Sequence, residues 1–194
     1  FTANGAWILF YNCLGEDCDG GISAVRPNGT GLHHVTPNSH ESYDLADQSP
    51  DGSRMTYMRW HVGGVKMAVY VSSADGRNQR RVTPPRLEGW APDWSPTGGR
   101  IAFTSYVFWD RPAPSLFTVR PNGSGLTALT RPPFPHSDYL PAYSPDGRRS
   151  CSRRTGATPT SAAPTCSSYR RRAGRPSGCS CRSMPPIPDG GPHR

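Results

Sequence analysis

The amino-acid sequence repeats with a period of about 47 residues, and this repeat constrains the fold more than any other feature. The segment VRPNGTGL at 25–32 returns as VRPNGSGL at 119–126, and a looser copy, VSSADG, lies midway at 71–76. The turn glycines of the three copies are separated by 47 and 47 residues. Self-similarity at a fixed period of this size is typical of proteins built from repeated structural units.

A second signature, Ser-Pro-Asp-Gly, alternates with the first and keeps nearly the same period. Its members are Ser49, Pro50, Asp51 and Gly52, then Ser95, Pro96 and Gly98, then Ser144, Pro145, Asp146 and Gly147. A degenerate copy, TANG, lies at 2–5, and the motif glycines are separated by 47, 46 and 49 residues. Trp94 and Tyr143 precede two copies of the motif, and we interpret both as side chains that pack between repeat units.

Each repeat is predicted to form four short strands. Ser-Pro-Asp-Gly is turn chemistry, and Asn-Gly or Asp-Gly is a strong hairpin signal. Apolar runs such as IAFT at 101–104 and LFTV at 116–119 lie between these turns, and helical periodicity is absent. Four antiparallel strands in about 40–50 residues predict an all-β chain of β-propeller blades.

These motifs resemble the TolB-type propeller repeat, a WD-repeat-like family built on Trp-Ser-Pro-Asp-Gly, an Ile-Ala-Phe strand, an Ile-Tyr-Val strand, Asp-Gly and Leu-Thr. The resemblance covers residues 1–149, with repeats starting near 1, 48, 94 and 143. Gln48 replaces the motif aromatic in one copy, and Thr97 replaces the motif aspartate in another. We expect a partial propeller of about three four-stranded blades from a protein that is longer at both ends, because propellers close with about 4–8 blades.

Nearly all of the net positive charge of the chain lies in its last 45 residues. The whole chain has 22 Lys+Arg and 14 Asp+Glu, a formal charge of +8, but residues 1–149 hold 14 basic and 13 acidic residues, or +1. Residues 150–194 contain no Val, Leu, Phe or Trp. The predicted propeller is therefore nearly neutral with no nucleic-acid partner, and 150–194 is predicted to be a disordered Ser/Pro/Arg-rich tail.

The tail begins where a fourth repeat should continue with an apolar strand. Cys151 and Ser152 fall where the preceding copy has Ala102 and Phe103. Read one base earlier, a Cys codon becomes a codon for Leu, Met or Val, and a Ser codon of the TC type becomes one for Phe, Leu, Ile or Val. We therefore interpret the tail as out-of-frame sequence; a genuine disordered tail and an Arg-rich nucleic-acid arm are the alternatives.

One loop combines cysteines with acidic residues. TolB-type propellers are mostly extracytoplasmic, so the resemblance leaves two readings of Cys13 and Cys18: a local disulfide in an exported protein, or two ordinary thiols in the cytosol. Glu16, Asp17 and Asp19 lie in the same loop, but their spacing does not match a calcium-binding EF-hand. We interpret these three as solvated acidic residues.

No catalytic or cofactor motif is found in the sequence. Gly-x-Ser-x-Gly, the nucleophile elbow of serine hydrolases, is absent. The two Asn-Gly-Ser/Thr patterns, which match the N-glycosylation acceptor motif, recur with the repeat, so we interpret them as turns.

The histidines near strand ends are interpreted as exposed or hydrogen-bonded, and three tryptophans near strand ends are candidates for a binding rim. The histidines are His33, His34, His40, His61 and His136, and the tryptophans are Trp60, Trp90 and Trp109.

The function implied by the resemblance is binding without catalysis. In the TolB family the propeller presents loops around a central channel to protein partners in the cell envelope. The expected location is therefore periplasmic or secreted, with no cofactor, no metal and no membrane span. The alternatives are the propeller domain of a prolyl-oligopeptidase-like serine peptidase and a carbohydrate-active, lyase-like propeller with a histidine-bound metal.

Overall fold

A computed structural model describes residues 1–12, 20–36, 41–61, 66–108, 111–133, 135–155, 165–166 and 169–170. Its regular structure consists of four antiparallel β-sheets that follow one another along the chain. Among these residues there is no helix with the length and apolar character needed to cross a membrane.

The sheets are simple meanders in which consecutive strands pair. The first contains β1 (Ile8–Asn12), β2 (Gly21–Val25) and β3 (His33–His34). The second contains β4 (Glu41–Gln48), β5 (Arg54–His61), β6 (Ala68–Ser73) and β7 (Arg80–Arg81). The third contains β8 (Trp90–Trp94), β9 (Ile101–Phe108), β10 (Arg111–Val119) and β11 (Thr127–Ala128). In the fourth, β12 (Ser137–Tyr143) pairs with β13 (Arg149–Thr155), and β13 also pairs with β14 (Thr165–Cys166) and β15 (Tyr169–Arg170).

The predicted fold class, an all-β partial propeller of four-stranded blades, is confirmed. The second and third sheets are complete four-stranded blades, and the described part of the first sheet begins at the second strand of its blade. In the later blades the strand that ends at each Ser-Pro motif is the innermost strand of its sheet. The sequence repeats therefore start at the first turn of each blade, one strand after the blade itself begins.

The boundary predicted at residues 149/150 requires correction, because β13 crosses it. Ala142 pairs with Cys151 and Tyr143 with Ser150, so the fourth blade extends to Thr155. The register places Ser152 at the position that Phe103 occupies in the third blade. The buried Oγ of Ser152 has no hydrogen-bond partner among the described residues, which costs stability. Apart from 165–166 and 169–170, residues beyond Thr155 lie outside the described residues, and the disordered tail stays a prediction.

The Ser-Pro-Asp-Gly motif forms the turn between the first and second strands of a blade. The N–H of Ser49 donates to the carbonyl of Arg54 at 2.9 Å, and the N–H of Gly52 donates to the carbonyl of Ser49 at 2.8 Å. Asp51 accepts from the Ser49 hydroxyl at 2.6 Å and from the N–H of Ser53 at 3.0 Å. These bonds, led by the one from Ser49, lower the pKa of Asp51 to about 2. The turn is thus closed by side chains as well as by the backbone.

Equivalent bonds recur in the other blades. Ser144 donates to Asp146 at 2.5 Å, and in the degenerate first copy Thr2 donates to Asn4 at 2.8 Å. In the third blade Thr97 replaces the aspartate, and the Ser95 and Thr97 hydroxyls are 3.3 Å apart. A hydroxyl is a weaker acceptor than a carboxylate, so this turn lacks a charge-assisted bond.

The turn between the third and fourth strands requires glycine. Gly76 has φ of +79°, and a Cβ on it would lie 2.0 Å from the carbonyl oxygen of Val35 in the preceding blade. Glycine is therefore needed both for the left-handed backbone and for the close approach of two blades. Asn28 and Asn122 accept the backbone N–H of Thr30 and Ser124 at the same turn in their own blades.

The apolar core lies between the blades. The larger buried cluster joins Val69 and Val71 of the second blade to Trp94, Ile101 and Phe117 of the third. A second cluster joins Ile22 of the first blade to Tyr43, Met55 and Tyr57 of the second. Apolar side chains are therefore buried between neighbouring blades, as the repeat period implies.

Restoring the motif aspartate in the third blade should stabilise the fold. In Thr97→Asp the new carboxylate is positioned to accept from the Ser95 hydroxyl and from the N–H of Gly99, like Asp51 in the second blade. We expect the free energy of unfolding, measured by urea denaturation at pH 7, to rise by about 0.5–1.5 kcal/mol. An unchanged or lower stability would show that the third turn gains nothing from the carboxylate.

Candidate functional site at the inner strands

The innermost strands of the blades lie side by side. β8 contacts both β4 and β12, and each of the three is the first strand of its sheet. In a propeller these strands surround the central channel. The surface that they form, called here the inner wall, is the candidate functional site.

Each of the three described inner strands has a β-bulge at the same place. Between Asp44 and Asp47, two residues of β4 face one residue of β5. The same irregularity lies between Trp90 and Asp93 in β8, and between Tyr139 and Ala142 in β12. Bulges bend a strand and re-aim its side chains, and they are frequent beside functional sites.

The first residue of each bulge has a left-handed backbone. The φ angles of Leu45, Ala91 and Leu140 are +53°, +50° and +51°. Each lies seven residues before its motif glycine, so the strained conformation recurs in every described inner strand. Backbone strain of this kind costs about 1–3 kcal/mol per residue and persists only where the surrounding structure enforces it.

The bulges expose large apolar side chains on the inner wall. Leu45 is 43% exposed and Leu140 is 49% exposed, whereas the small Ala91 between them is buried. These two leucines are among the five most exposed large apolar side chains in the described part of the chain. The inner wall thus presents apolar contacts on both sides of the third blade.

Aspartates join the inner strands to one another. Asp47 Oδ2 accepts the backbone N–H of Trp94 in the next blade at 2.6 Å. Asp93 Oδ2 accepts the backbone N–H of Tyr143 in the following blade at 2.7 Å. Both are charge-assisted bonds, which are shorter and stronger than those between neutral groups.

Burial makes these carboxylates unusual. Burial raises the pKa of Asp93 to about 6; the bond from the Tyr143 N–H acts in the opposite direction, and the negative charge of Asp47 raises it further. Burial also raises the pKa of Asp47, against the bonds from Trp94 and Gln48. The ionised carboxylates therefore hold the inner strands together at a desolvation cost.

Sequence reasoning missed these aspartates, although a signal was present. Asp47 and Asp93 are 46 residues apart, which equals the separation of Gly52 and Gly98. The equivalent position of the fourth blade is Ala142, so that blade has no carboxylate for a further inner strand. The repeat predicts the position, but only the structure shows that its partner is a backbone N–H in the next blade.

The motif aromatics lie between blades. Trp94 is 4% exposed, within the cluster that joins the second and third blades. Tyr143 places its hydroxyl 3.4 Å from that of Thr118 in the third blade. Trp60 and Trp90 are half-buried in different blades, and Trp109 lies outside the described residues.

The described histidines do not lie together in one site. In the described part of the chain, no group of three or more His, Cys, Asp or Glu side chains is arranged to hold a metal ion. His33 and His34 lie on β3, His61 lies 3.4 Å from Glu41, and His136 lies before β12. His40, the cysteines Cys13 and Cys18, and the acidic residues Glu16, Asp17 and Asp19 lie outside the described residues.

Comparison with known proteins identifies the fold. No family model and no curated protein matches the sequence. TolB from Agrobacterium tumefaciens is similar in structure with a TM-score of 0.67 and 22% identity, over 83% of this chain and 55% of that one. TolB from Acinetobacter baumannii has a TM-score of 0.57 and 16% identity, over 85% of this chain and 40% of that one. A prolyl endopeptidase has a TM-score of 0.58 and 14% identity, over 80% of this chain and 24% of that one.

These likenesses concern the fold, since all three identities are low. The chain spans about half of the first TolB structure and two fifths of the second. What the whole protein binds or catalyses is therefore a matter for proposal.

Removing the Asp93 carboxylate should weaken the contact between the third and fourth blades. We expect Asp93→Ala to lower the free energy of unfolding by about 1–3 kcal/mol at pH 7, because the Tyr143 N–H loses its acceptor. Asp93→Asn is the matched control, since its carbonyl oxygen can still accept that bond without the cost of burying a charge. Equal losses in both variants, measured by urea denaturation, would contradict a hydrogen-bonding role.

The raised pKa of Asp93 predicts how the free energy of unfolding changes with pH. A carboxyl that titrates near 6 when folded and near 4 when unfolded binds protons more tightly in the folded state, so its contribution to stability falls as pH rises from about 4 to about 6. The stability of the native chain relative to Asp93→Asn should therefore decrease across this window and become constant above it. Urea denaturation of both proteins at pH 4, 5, 6 and 7 measures this difference, and a difference that grows with pH would contradict the assignment.

Proposed function

We propose that this chain, which has the fold of a TolB-type β-propeller, is a non-catalytic binding module that holds protein partners at its inner wall. The observation that carries the proposal is the pair of leucines on the bulged inner strands. Leu45 and Leu140 are large apolar side chains left exposed at equivalent positions, on backbone held at φ of +53° and +51°. Strain combined with apolar exposure is expected where a surface is shaped for a ligand.

The chemistry of the inner wall favours a polypeptide partner. The wall offers two apolar side chains along three inner strands that lie side by side. Asp47 and Asp93 are already engaged with backbone N–H groups. The residues up to 149 carry a charge of only +1, which gives no general attraction for polyanions. An extended or looped segment with apolar side chains meets these conditions.

The cell envelope is the proposed location. The support is the likeness to two TolB structures, together with the family's extracytoplasmic character. Export would also allow Cys13 and Cys18 to form the local disulfide that the sequence leaves open.

A second candidate function is the propeller of a prolyl-oligopeptidase-like peptidase. It is supported by the likeness to a prolyl endopeptidase, of which this chain covers 24%. In that case the inner wall would admit substrate to a separate hydrolase domain, and the whole protein would cleave prolyl peptides in a reaction blocked by a serine-directed inhibitor. The binding-module proposal requires no such activity.

Site-specific photo-crosslinking tests the binding proposal. A photoreactive phenylalanine analogue placed at Leu45 or Leu140 should capture a small set of envelope proteins from the source organism. The same analogue at Thr127, an exposed residue on an outermost strand, is the control and should capture none of them. Leu45→Ser combined with Leu140→Ser should reduce binding of a captured partner, once purified, by tenfold or more, because both apolar contacts are lost.

Two results would contradict this proposal. One is equal crosslinking at the inner wall and at Thr127, which would indicate non-specific contact. The other is unchanged affinity of a purified partner for the double serine variant, which would place the binding surface elsewhere.

A further inference from the structure

A cavity of about 470 Å³ lies between the first and second blades, on the face that carries the turns. Its floor is apolar and includes Leu9, Ala24, Val35 and Met55. Its rim includes the exposed turn residues Asn4 and Asp51 and the side chain of Gln48. The volume falls within the range of about 300–1,000 Å³ that is typical of ligand pockets.

At the next interface an aromatic ring fills the equivalent space. Trp94, one residue before its Ser-Pro motif, belongs to the buried cluster that includes Val71, Val82 and Ile101. By the repeat, these three positions correspond to Ala24, Val35 and Met55, which line the cavity.

The third interface follows the same pattern. Tyr143 is the motif aromatic of the fourth blade, and its hydroxyl lies 3.4 Å from that of Thr118. Thr118 is the repeat equivalent of Ala24 and Val71. At the interface of the second and third blades and at that of the third and fourth, an aromatic ring on the inner strand therefore packs near Val71 or Thr118 of the preceding blade.

Gln48 keeps the hydrogen bond of the missing ring but not its volume. The indole N–H of Trp94 donates to the carbonyl of Gly98 at 3.1 Å. Gln48 Nε2 donates to the equivalent carbonyl, that of Gly52, at 3.2 Å, and its Oε1 accepts from the N–H of Ala3 at 2.7 Å. The interface between the first two blades thus has polar bonds at this position, beside an unfilled space, in addition to the apolar cluster around Ile22.

One wall of the cavity is a rigid aromatic ring. The Trp7 ring makes an edge contact with His33 at 4.8 Å between centroids, and the Arg26 guanidinium lies 5.0 Å from its centroid. Gly31 also packs closely against it, since a Cβ there would lie 3.2 Å from the ring. A ring held on several sides loses little conformational freedom when another ring packs against it.

We propose that this cavity is a binding site for an aromatic side chain, Trp or Tyr, presented by a polypeptide partner. The inserted ring occupies the space that Trp94 and Tyr143 fill at the later interfaces, against the apolar floor and the Trp7 wall. Its N–H or O–H is directed to the polar rim, where Asp51 and Asn4 supply acceptor oxygens. The inference rests on the proposed binding function and adds a contact on the turn face to those on the inner wall.

Titration with N-acetyltryptophanamide tests the site, with N-acetylglycinamide as the control ligand. Heteronuclear NMR of the native chain should show saturable binding of the indole probe, with shifts at the Trp7 indole and at the methyl groups of Ala24, Val35 and Met55. Gln48→Trp should weaken this binding at least tenfold, because the chain then supplies its own ring. Ala24→Leu, which fills the cavity from the other blade, provides a second variant should Gln48→Trp fail to fold. Thr97→Asp restores a motif residue in another blade and should bind the probe like the native chain.

Several outcomes would overturn the inference. They are the absence of saturable binding by the native chain, equal binding of the glycinamide control, shifts confined to another surface, or undiminished binding by the filled variants. These results are separable from the proposed function: crosslinking at the inner wall without probe binding removes only the cavity site. Probe binding without specific crosslinking removes the inner-wall function and leaves an aromatic site.

Discussion

The hydrogen bond from an inner-strand N–H to an aspartate of the preceding blade is the interaction on which the arrangement of the second, third and fourth blades depends. Apolar contact between packed sheets is not directional, so it does not select a particular backbone atom of one strand as the partner of another. Asp47 and Asp93 each fix one inner strand to the next at a single backbone atom. Asp47 lies two residues after Leu45 in the bulged strand β4, and the Tyr143 N–H lies three residues after Leu140 in β12. These bonds therefore hold the bulged strands that carry the two exposed leucines in register with β8.

Departures from the repeat account for the features that distinguish one interface from another. Gln48 reproduces the hydrogen bond of the motif aromatic and leaves a cavity beside Trp7. Ala142 ends the series of aspartates, and Ser152 brings a buried hydroxyl to a position where the third blade has Phe103. Each change alters one contact between strands or blades and leaves the meander intact, because the turns that define the meander are local structures.

The Ser-Pro-Asp-Gly turns can be predicted from sequence because the groups that hydrogen-bond in them lie within five residues of one another. Ser49, Asp51 and Gly52 determine their own turn, and the spacing of such turns is sufficient to predict four-stranded blades. The left-handed backbone of Leu45 and Leu140 could not be predicted in the same way, because leucine rarely adopts it. The sequence does contain a proline, Pro92 or Pro141, at the second bulge residue of two blades, and proline within a strand is typical of bulges. The bonds of Asp47 and Asp93 join residues 47 and 50 positions apart, so they follow only from knowing how blades meet.

Amide hydrogen exchange at Trp94 and Tyr143 tests the central claim most directly. If the aspartates fix the inner strands, both N–H groups should be protected in the native chain at neutral pH, and Asp93→Ala should remove protection at Tyr143 while leaving Trp94 slow. Exchange of both amides at the rate of an unstructured peptide in the native chain would contradict the account.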